Sequence, residues 1–570
     1  MRTFEEGARA PGTAWPFTGR EHELESLRAA LVTGRAGIVV TGPPGHGKTR
    51  LLAEAVRGTD HARVTGTPEA RHLPFAAFAH LLPDTVSPHR AVHLLSGPRL
   101  LVVDDAHLLD EASAALVHQL AVHGRTRLLV AAVDGVPAPG AVARLWTGEL
   151  LPRLTLAPLP REHTARLLAA DGLEALTAAR LHRLCAGDLR LLRALVSALA
   201  AAGRLVPVPG TGERAWRGPL PLTPAVRDRL AALPDHPGAR GVLERLAFAE
   251  PSPVPADECD LGVLEQLEED GLIDVDDRSA VTLAHPLHGP ALRAATGRLR
   301  ARRLSPRPAA HGAALEAERR MLVRRMAEMD VRSVPTPVGE WLVAEDAPLP
   351  PGYAAARARY ARLRGEVRDA AAWAREGLRW TAGDSGCLRE LGLAAEESAT
   401  EDEEVLGSYQ AVRLGEPGRA AGRLPAGSVF ARHAEALARG DGPGLDRAAE
   451  ALRERGFLLF AAEAHAQAVR AHRDPAAARR SRARALACAA RCQGARTPAL
   501  AGLVLGELTA RQRQIVTLAA AGLSNREIAD RLTLSVRTVG NHLYGAYSRL
   551  GSGDRDALPL LLDVPERVPA

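Results

Sequence analysis

Aromatic residues are scarce in this chain, at 3% of 570 residues. With alanine and arginine abundant, that shortage points to an Ala-rich helical protein. Cysteine is also sparse. The five are Cys185, Cys259, Cys387, Cys488 and Cys492, scattered and odd in number, which excludes a disulfide framework. Cys488 and Cys492 stand one helical turn apart, but no His or Cys pair accompanies them at zinc spacing, so idle thiols are expected rather than a metal site. There is no long uncharged apolar run and no apolar signal core near Met1, so no membrane partner is expected and a cytoplasmic location follows. Charge of one sign is only slightly in excess. A net +6 and a pI of 9.4 permit nucleic-acid binding without requiring it. The length exceeds what one core can organise, and roughly three to five domains are expected.

What is present begins with Gly42-Pro43-Pro44-Gly45-His46-Gly47-Lys48-Thr49, followed by Arg50. It fits G-x-x-x-x-G-K-[S/T], a phosphate-binding loop. Its glycines let the backbone curl with N–H groups turned inward, making a nest for phosphate oxygens at the start of a helix. Lys48 would reach the outer phosphates and Thr49 would place its hydroxyl on Mg²⁺. The context is right: Gly37-Ile38-Val39-Val40-Thr41 reads as a buried strand, and Leu51, Leu52, Ala55 and Val56 recur at helical spacing. ATP or ADP with Mg²⁺ is the expected cofactor.

Leu100-Leu101-Val102-Val103-Asp104-Asp105 reads as a second buried strand that ends in two carboxylates, where ligands bind in open α/β sheets. Asp104 is a candidate Mg²⁺ ligand and Asp105 a candidate for orienting or deprotonating water. An Asp-Asp pair in this position also serves simply as a helix cap. Ala62–Thr65, Leu128–Ala132 and Leu154–Leu156 are further strands, and Arg71–Leu82 reads as a helix interrupted by Pro74. Helical spacing from Arg161 to about Ala202 makes a lid, and 203–221 reads as a Gly/Pro-rich connector. Residues 222–300 read as a winged helix with a β-wing around Asp276-Asp277-Arg278. From 301 to 496 the Ala/Arg/Glu/Leu-rich chain breaks at Pro350-Pro351-Gly352, Gly440-Asp441-Gly442-Pro443 and Asp474-Pro475, as paired helices of solenoid length would, with an irregular bundle as the alternative.

Near the C-terminus, Thr509…Gln512 and Ser524…Glu527 each fit a capping box, and each opens a short amphipathic helix. Ser535 then caps a third helix, with Val536, Val539, Leu543 and Ala546 on an apolar stripe and Arg537, Asn541, Tyr544 and Ser548 on another face. This is a helix-turn-helix pattern, although a polar stripe also describes ordinary solvated surface.

Residues 508–558, from L-T-A-R-Q through G-L-S-N-R-E-I-A and S-V-R-T-V-G-N-H-L to L-G-S-G-D-R-D-A-L, resemble the LuxR-type DNA-binding domain. Together with the phosphate loop, Phe17-Thr18-Gly19-Arg20-Glu21, the Asp pair, Leu73-Pro74-Phe75, Ala284-His285-Pro286-Leu287 and Gly494-Ala495-Arg496-Thr497-Pro498, the chain resembles the large ATP-binding LuxR-family regulators, MalT-like members of the signal-transduction ATPases (STAND). The resemblance implies a multidomain chain. An α/β P-loop NTPase core (1–160) carries a helical lid and connector (161–221) and a winged helix (222–300). An α-helical, TPR-like region (301–496) and an all-α helix-turn-helix domain (505–570) follow. It implies a switch closed with ADP and opened by ATP plus an inducer of unknown identity. The open form becomes a homo-oligomer, binds double-stranded promoter DNA and engages RNA polymerase. His285 is then the candidate contact to bound ADP, and a satisfied core histidine is the alternative. Asn525, Arg526, Arg537, Thr538, Asn541, His542 and Tyr544 are the candidate DNA-binding residues. Arg537, Asn541 and Tyr544 are expected on the outer face; Arg526, Thr538 and His542 are expected in backbone or packing roles.

The chain departs from the family in places. Val133 stands where a polar sensor is common, and Gly187-Asp188-Leu189 where Gly-x-Pro is usual, which weakens the expectation of efficient hydrolysis and tight adenine packing. Gln512 and Gln514 replace glutamates, and Gly540 replaces a lysine. The competing readings are an AAA+-like DNA-remodelling ATPase targeted by its helix-turn-helix, and a signalling scaffold whose DNA-binding domain has decayed.

Overall fold

The apolar runs of the N-terminal half alternate their side chains between two faces, as extended chains must. In the computed structural model of the chain they are strands of one parallel sheet: β1 (Gly37–Gly42), β2 (Ala62–Thr65), β3 (Leu100–Asp104), β4 (Arg127–Val133) and β5 (Arg153–Thr155), in the order β2-β3-β4-β1-β5. Ile38, Val40, Leu100, Val102, Leu129 and Ala131 pack on one face with Leu27, Leu51 and Leu52. Val39, Leu101, Val103, Leu128 and Val130 pack on the other with Leu95, Leu116 and Leu120. Burial on both faces explains why these strands read as continuous apolar runs. All five strands run the same way, so their carboxyl ends form one rim, and β1 and β3 deliver the phosphate loop and the Asp pair to it.

The structure describes residues 15–32, 36–83, 86–97, 100–227, 236–250, 254–277, 279–304, 308–332, 337–395, 404–420, 422–506, 508–520 and 522–550. The tail before Trp15, Arg278, the side chain of Ser548 and the motif residues from Gly551 onward lie outside them. Two compact units are present, Met1–Pro306 and Arg307–Ala570.

In the first unit, helices Arg161–Ala170, Ala175–Cys185 and Leu189–Ala201 follow the sheet. Their core joins Leu168, Leu181, Leu192 and Leu195 to Trp216. Trp216 comes from the stretch expected to be a connector. That stretch instead forms an antiparallel hairpin, β6 (Leu205–Pro207) with β7 (Arg214–Trp216), whose three-residue strands are too short to show a period. The expected helix at Arg71–Leu82 is also absent; only 3₁₀ turns at Glu69–His72 and Ala76–Phe78 form. Pro74 supplies no N–H donor to an α-helical ladder, and Phe75 adopts φ 59°. Beyond the lid, a three-stranded antiparallel sheet, ordered β8 (Val254–Pro255), β10 (Ala280–Leu283), β9 (Ile273–Val275), packs on helices Pro237–Ala249, Leu261–Glu269 and His288–Ala295. This is the winged-helix arrangement.

The second unit is helical. The chain breaks read from sequence are helix starts. Asp441 caps Gly442–Glu454 by accepting from Gly444 N at 2.9 Å, and Asp474 caps Pro475–Ala489 by accepting from Ala476 N at 3.0 Å. Helices Pro351–Leu363 and Val367–Trp380 are consecutive neighbours, as are Gly442–Glu454 and Leu458–Ala471. Gly456, at φ 91°, turns the second pair where a Cβ would strike the Val331 carbonyl. Alanine lets these helices approach closely. The few aromatics are concentrated here: Tyr409 stacks on Phe430 at 4.1 Å between centroids, beside Phe457 and Phe460.

Candidate nucleotide site and DNA-reading helix

The phosphate loop leaves β1 at Gly42 and enters helix Lys48–Ala55 through Gly47, which has φ 87°. Gly45, at φ 75°, has the Asp188 carboxylate where a Cβ would stand. Both positions need glycine. Lys48 is 6% exposed and its Nζ donates to Gly42 O and Pro43 O, each at 2.8 Å. Burial pulls its pKa down, opposed by Asp105. Thr49 Oγ1 donates to Asp104 Oδ1 at 3.2 Å. The structure thus brings together the hydroxyl and the carboxylate that would share Mg²⁺. Asp104 is buried, also accepts from Asp105 N at 3.1 Å, and pairs through Oδ2 with Arg63 at 2.7 Å.

Asp105 sits in a left-handed conformation, φ 47°. Its pKa is raised, first by burial and then by the neighbouring Asp104. Beside it, burial lowers the pKa of His107. Both shifts favour the neutral form of the group concerned. Pro43, Pro44, Thr49 and Arg50 face solvent, and Arg50 pairs with Glu54 one turn along its own helix at 3.2 Å. His46 is 4% exposed and its Nδ1 has no hydrogen-bond partner. Its ring lies against Gly187 and burial lowers its pKa.

Two arginines that sequence reading passed over belong to this site. Arg63, on the edge strand β2, supplies the positive charge beside Asp104. Arg190 lies in the first turn of Leu189–Ala201, where Asp188 caps the helix by accepting from Arg190 N at 2.8 Å and Leu191 N at 3.1 Å. Leu189 N donates to Gly45 O at 3.0 Å, which ties this helix start to the loop. The Arg190 guanidinium is near enough to bear on the ionisation of both Lys48 and Asp105. The available signal was a basic residue two positions after a capping Asp that itself follows Gly187. Val133 ends β4 half-buried, and the next residue, Asp134, donates its N–H to Gly42 O at 3.1 Å and pairs with Arg153 at 2.8 Å.

His285 is not drawn to the loop by any contact of its own. Its Nδ1 accepts from Leu287 N at 3.1 Å and its ring lies 5.4 Å from His288, both within one turn. Burial lowers its pKa.

At the C-terminal end, helices Ala510–Ala520, Asn525–Leu532 and Val536–Leu550 enclose Ile515, Val516, Ile528, Ala529, Val539, Leu543 and Ala546. Both capping boxes form. Thr509 and Gln512 exchange bonds at 3.2 Å each, and Ser524 and Glu527 exchange bonds at 2.6 and 3.2 Å. On the third helix Arg537, Asn541 and Tyr544 are exposed, Tyr544 to 78%. Val536, expected on the apolar stripe, is instead 50% exposed, because it sits in the first turn before the helix meets its neighbours. Thr538 is engaged with Ser535, hydroxyl to hydroxyl at 2.7 Å. His542 and Asn525 are half-buried and Arg526 is exposed at the start of the second helix.

Among the described residues no helix is long and apolar enough to cross a membrane, and no group of three or more His, Cys, Asp or Glu side chains could hold a metal ion. Residues 506–561 match the family described as bacterial regulatory proteins, luxR family. A stretch of 60 residues is 43% identical to the HTH-type transcriptional regulator YhjB of Escherichia coli K12, covering 10% of this chain and 30% of that one. A stretch of 50 residues is 48% identical to the HTH-type transcriptional regulator Rv0890c of Mycobacterium tuberculosis H37Rv, covering 9% of this chain and 6% of that one. The chain therefore spans less than a third of the length of either relative. A solved STAND protein with a tetratricopeptide repeat sensor, from Pyrococcus horikoshii, aligns over 96% of both chains at 15% identity and a TM-score of 0.25, a superposition too loose to add to the geometry above. Residues 506–561 are a helix-turn-helix domain of the luxR family of bacterial regulatory proteins, carried by a multidomain chain that opens with a parallel α/β sheet and its phosphate loop.

Proposed function

We propose that this protein is an ATP-dependent transcriptional regulator, a STAND-type switch that binds promoter DNA through its C-terminal domain. The observation that carries the reading is the union, in one chain, of the Lys48–Thr49–Asp104 cluster with a luxR-family helix-turn-helix. The residues fit a magnesium nucleotide. Lys48 would exchange its two loop carbonyls for outer phosphate oxygens, while Thr49 and Asp104 would hold the metal, which supplies charge neutralisation of the phosphates. Asp105 would orient a water near the terminal phosphate. Arg190 would add a second positive charge from the lid, coupling lid position to the nucleotide. ATP with an inducer would favour self-association, promoter binding and contact with RNA polymerase; ADP, with His285 in contact, would favour the closed form.

Fluorescence anisotropy on operator duplexes selected from a random pool tests this. The full chain should bind more tightly with ATP than with ADP, and Lys48→Ala should bind alike with either. Equal affinity of the native chain in both nucleotides would sink the switch. Arg190 beside Asp105 favours one alternative, an AAA+-like DNA-remodelling ATPase. DNA-stimulated turnover near the ordinary enzyme value of about 10 per second would select it.

A further inference from the structure

The winged-helix end of the first unit separates its charges along the chain. Residues 257–277 carry ten carboxylates and no lysine or arginine, and residues 278–315 carry seven arginines and no carboxylate. Folding turns that separation into two faces. Helix Leu261–Glu269 buries Leu264 and Leu267 and turns Leu261, Glu265 and Glu268 the other way, in one row at helical spacing. Leu261 is 61% exposed. Asp274 and Val275 on β9, the strand that follows, are exposed as well.

Helix Arg298–Leu304 has the same arrangement with the opposite sign. Arg300 turns inward to pair with Glu244, and Ala301 and Leu304 are half-buried. That leaves Arg298, Leu299, Arg302 and Arg303 on the outer face, with Leu299 exposed to 88%. Arg298, Arg302 and Arg303 form no ion pair among the described residues, and neither do Glu265 and Glu268. The two helices pack on different flanks of Pro237–Ala249. Gly238 lies against Val263 of the acidic helix, whereas Gly241 and Glu244 lie against Arg300 of the basic one.

Each face is thus an exposed leucine flanked by like charges that no neighbour neutralises. Two faces of the same sign repel, and two of opposite sign attract. Setting an acidic face on a basic one covers both leucines and pairs the charges around them, giving the apolar centre and polar rim of a protein interface. A nucleic-acid phosphate would neutralise the arginines but leave Leu299 and the whole acidic face uncovered. The occupant that fits the basic face is acidic and carries its own apolar anchor, and this chain supplies one.

We infer that the acidic face of one copy, Leu261 with Glu265 and Glu268, docks on the basic face of a second copy, Leu299 with Arg302 and Arg303. The contact is heterologous, because unlike surfaces meet. Exposed ion pairs are individually weak and screened by salt, so it is sensitive to ionic strength. This inference rests on the self-association in the function proposed above and gives it a surface. It is tested without nucleotide or DNA, so its failure is distinguishable from failure of the switch.

Sedimentation velocity of the full chain provides the test. The native chain should self-associate in about 0.05 M NaCl and much less in about 0.5 M. Arg302→Glu with Arg303→Glu reverses the basic face, and Glu265→Arg with Glu268→Arg reverses the acidic face. All four positions are exposed. Each double variant alone should associate at least about tenfold more weakly than the native chain. Mixed together, the two should form pairs, since each retains the native face that the other has lost; that recovery also shows both to be folded. A native chain that stays monomeric at the lower salt, variants that associate as the native chain does, or a mixture that fails to pair although both variants melt like the native chain, overturns the assignment. Loss of affinity for random-sequence duplex by the arginine variant, with self-association unchanged, would overturn it too and give the basic face to nucleic-acid phosphates.

Discussion

Lys48 is held by two backbone carbonyls of its own loop, a geometry in which the ammonium waits close to where phosphates would sit. Removing it should weaken ATP binding at least tenfold, about 1.4 kcal/mol. Calorimetry with Lys48→Ala measures this, and unchanged affinity would remove the nucleotide assignment. Asp105 allows a different test. Its folded-state pKa is raised, so the folded chain holds that proton more tightly than the unfolded chain. Stability contributed by the protonated form is present at low pH and lost as pH rises through the window above the ordinary carboxylate value of about 3.9. At neutral pH the charged carboxylate is therefore a burden on the fold, and Asp105→Asn should raise the melting temperature there. The gain should vanish below about pH 3.9. A variant that melts lower at pH 7 would contradict this account of its surroundings. Lys48, Thr49 and Asp104 were legible in the sequence because loop and strand each carry a continuous local pattern. Arg63 and Arg190 were not, since each reaches the site only through the packing of an element remote in sequence.

Among the elements, the long apolar strands and the capped helices were legible, and the shortest elements were not. The hairpin Leu205–Trp216 hides in a Gly/Pro-rich stretch because three residues cannot display alternation, and only Trp216 hints at a core. In the second unit, one buried network gives the helices a titratable element. His433 is fully buried between Tyr409 Oη at 2.7 Å and Gln467 Oε1 at 2.7 Å. Gln467 Nε2 donates to Val412 O and Arg413 O at 3.0 Å, so its oxygen faces the histidine. His433 Nε2–H therefore donates to Gln467, and Nδ1 accepts from Tyr409. The network suits a neutral ring, and burial pushes the pKa down to about 4. The unfolded chain binds this proton more readily than the folded one, so stability falls as pH drops from 6.5 to about 4. The slope is about 1.4 kcal/mol per pH unit and the total up to about 3 kcal/mol. Urea melts across that window should show one proton's worth of slope less for His433→Gln than for the native chain. Identical slopes would assign the acid sensitivity to other groups.

The whole chain joins a nucleotide-type site to a luxR-family helix-turn-helix domain, and the third helix of that domain is the candidate reader of DNA. Arg537, Asn541 and Tyr544 face outward, and Asn can bond an adenine edge at two points while Arg can pair with guanine or a phosphate. Gly540 and Gly545 both lie within the helix, each costing roughly 1 kcal/mol of helix stability relative to alanine. They are not equivalent. A Cβ at Gly545 would meet Gln512 Nε2 at 3.1 Å, whereas a Cβ at Gly540 would meet nothing within 4 Å beyond its own helix among the described residues. Gly540→Lys should therefore be accommodated, stabilise the helix, tighten DNA binding and steepen its salt dependence by up to about one unit of slope. Under the proposed switch, one copy is expected to bind weakly and two copies on two half-sites to bind more tightly, linkage adding about 10²–10⁴-fold. The full chain with ATP should show that gain on a two-half-site operator and lack it on a single half-site. Within this frame Asn541→Ala decides whether the helix reads sequence. It should cost about 1–3 kcal/mol on the selected operator and far less on scrambled duplex, whereas loss of a phosphate contact would weaken both alike. Salt-titrated anisotropy on both duplexes makes the distinction. Equal weakening on the two would mean that this helix positions the domain without reading bases, and the sequence preference would then have to come from Asn525 and Arg526 at the preceding helix or from the shape of the DNA.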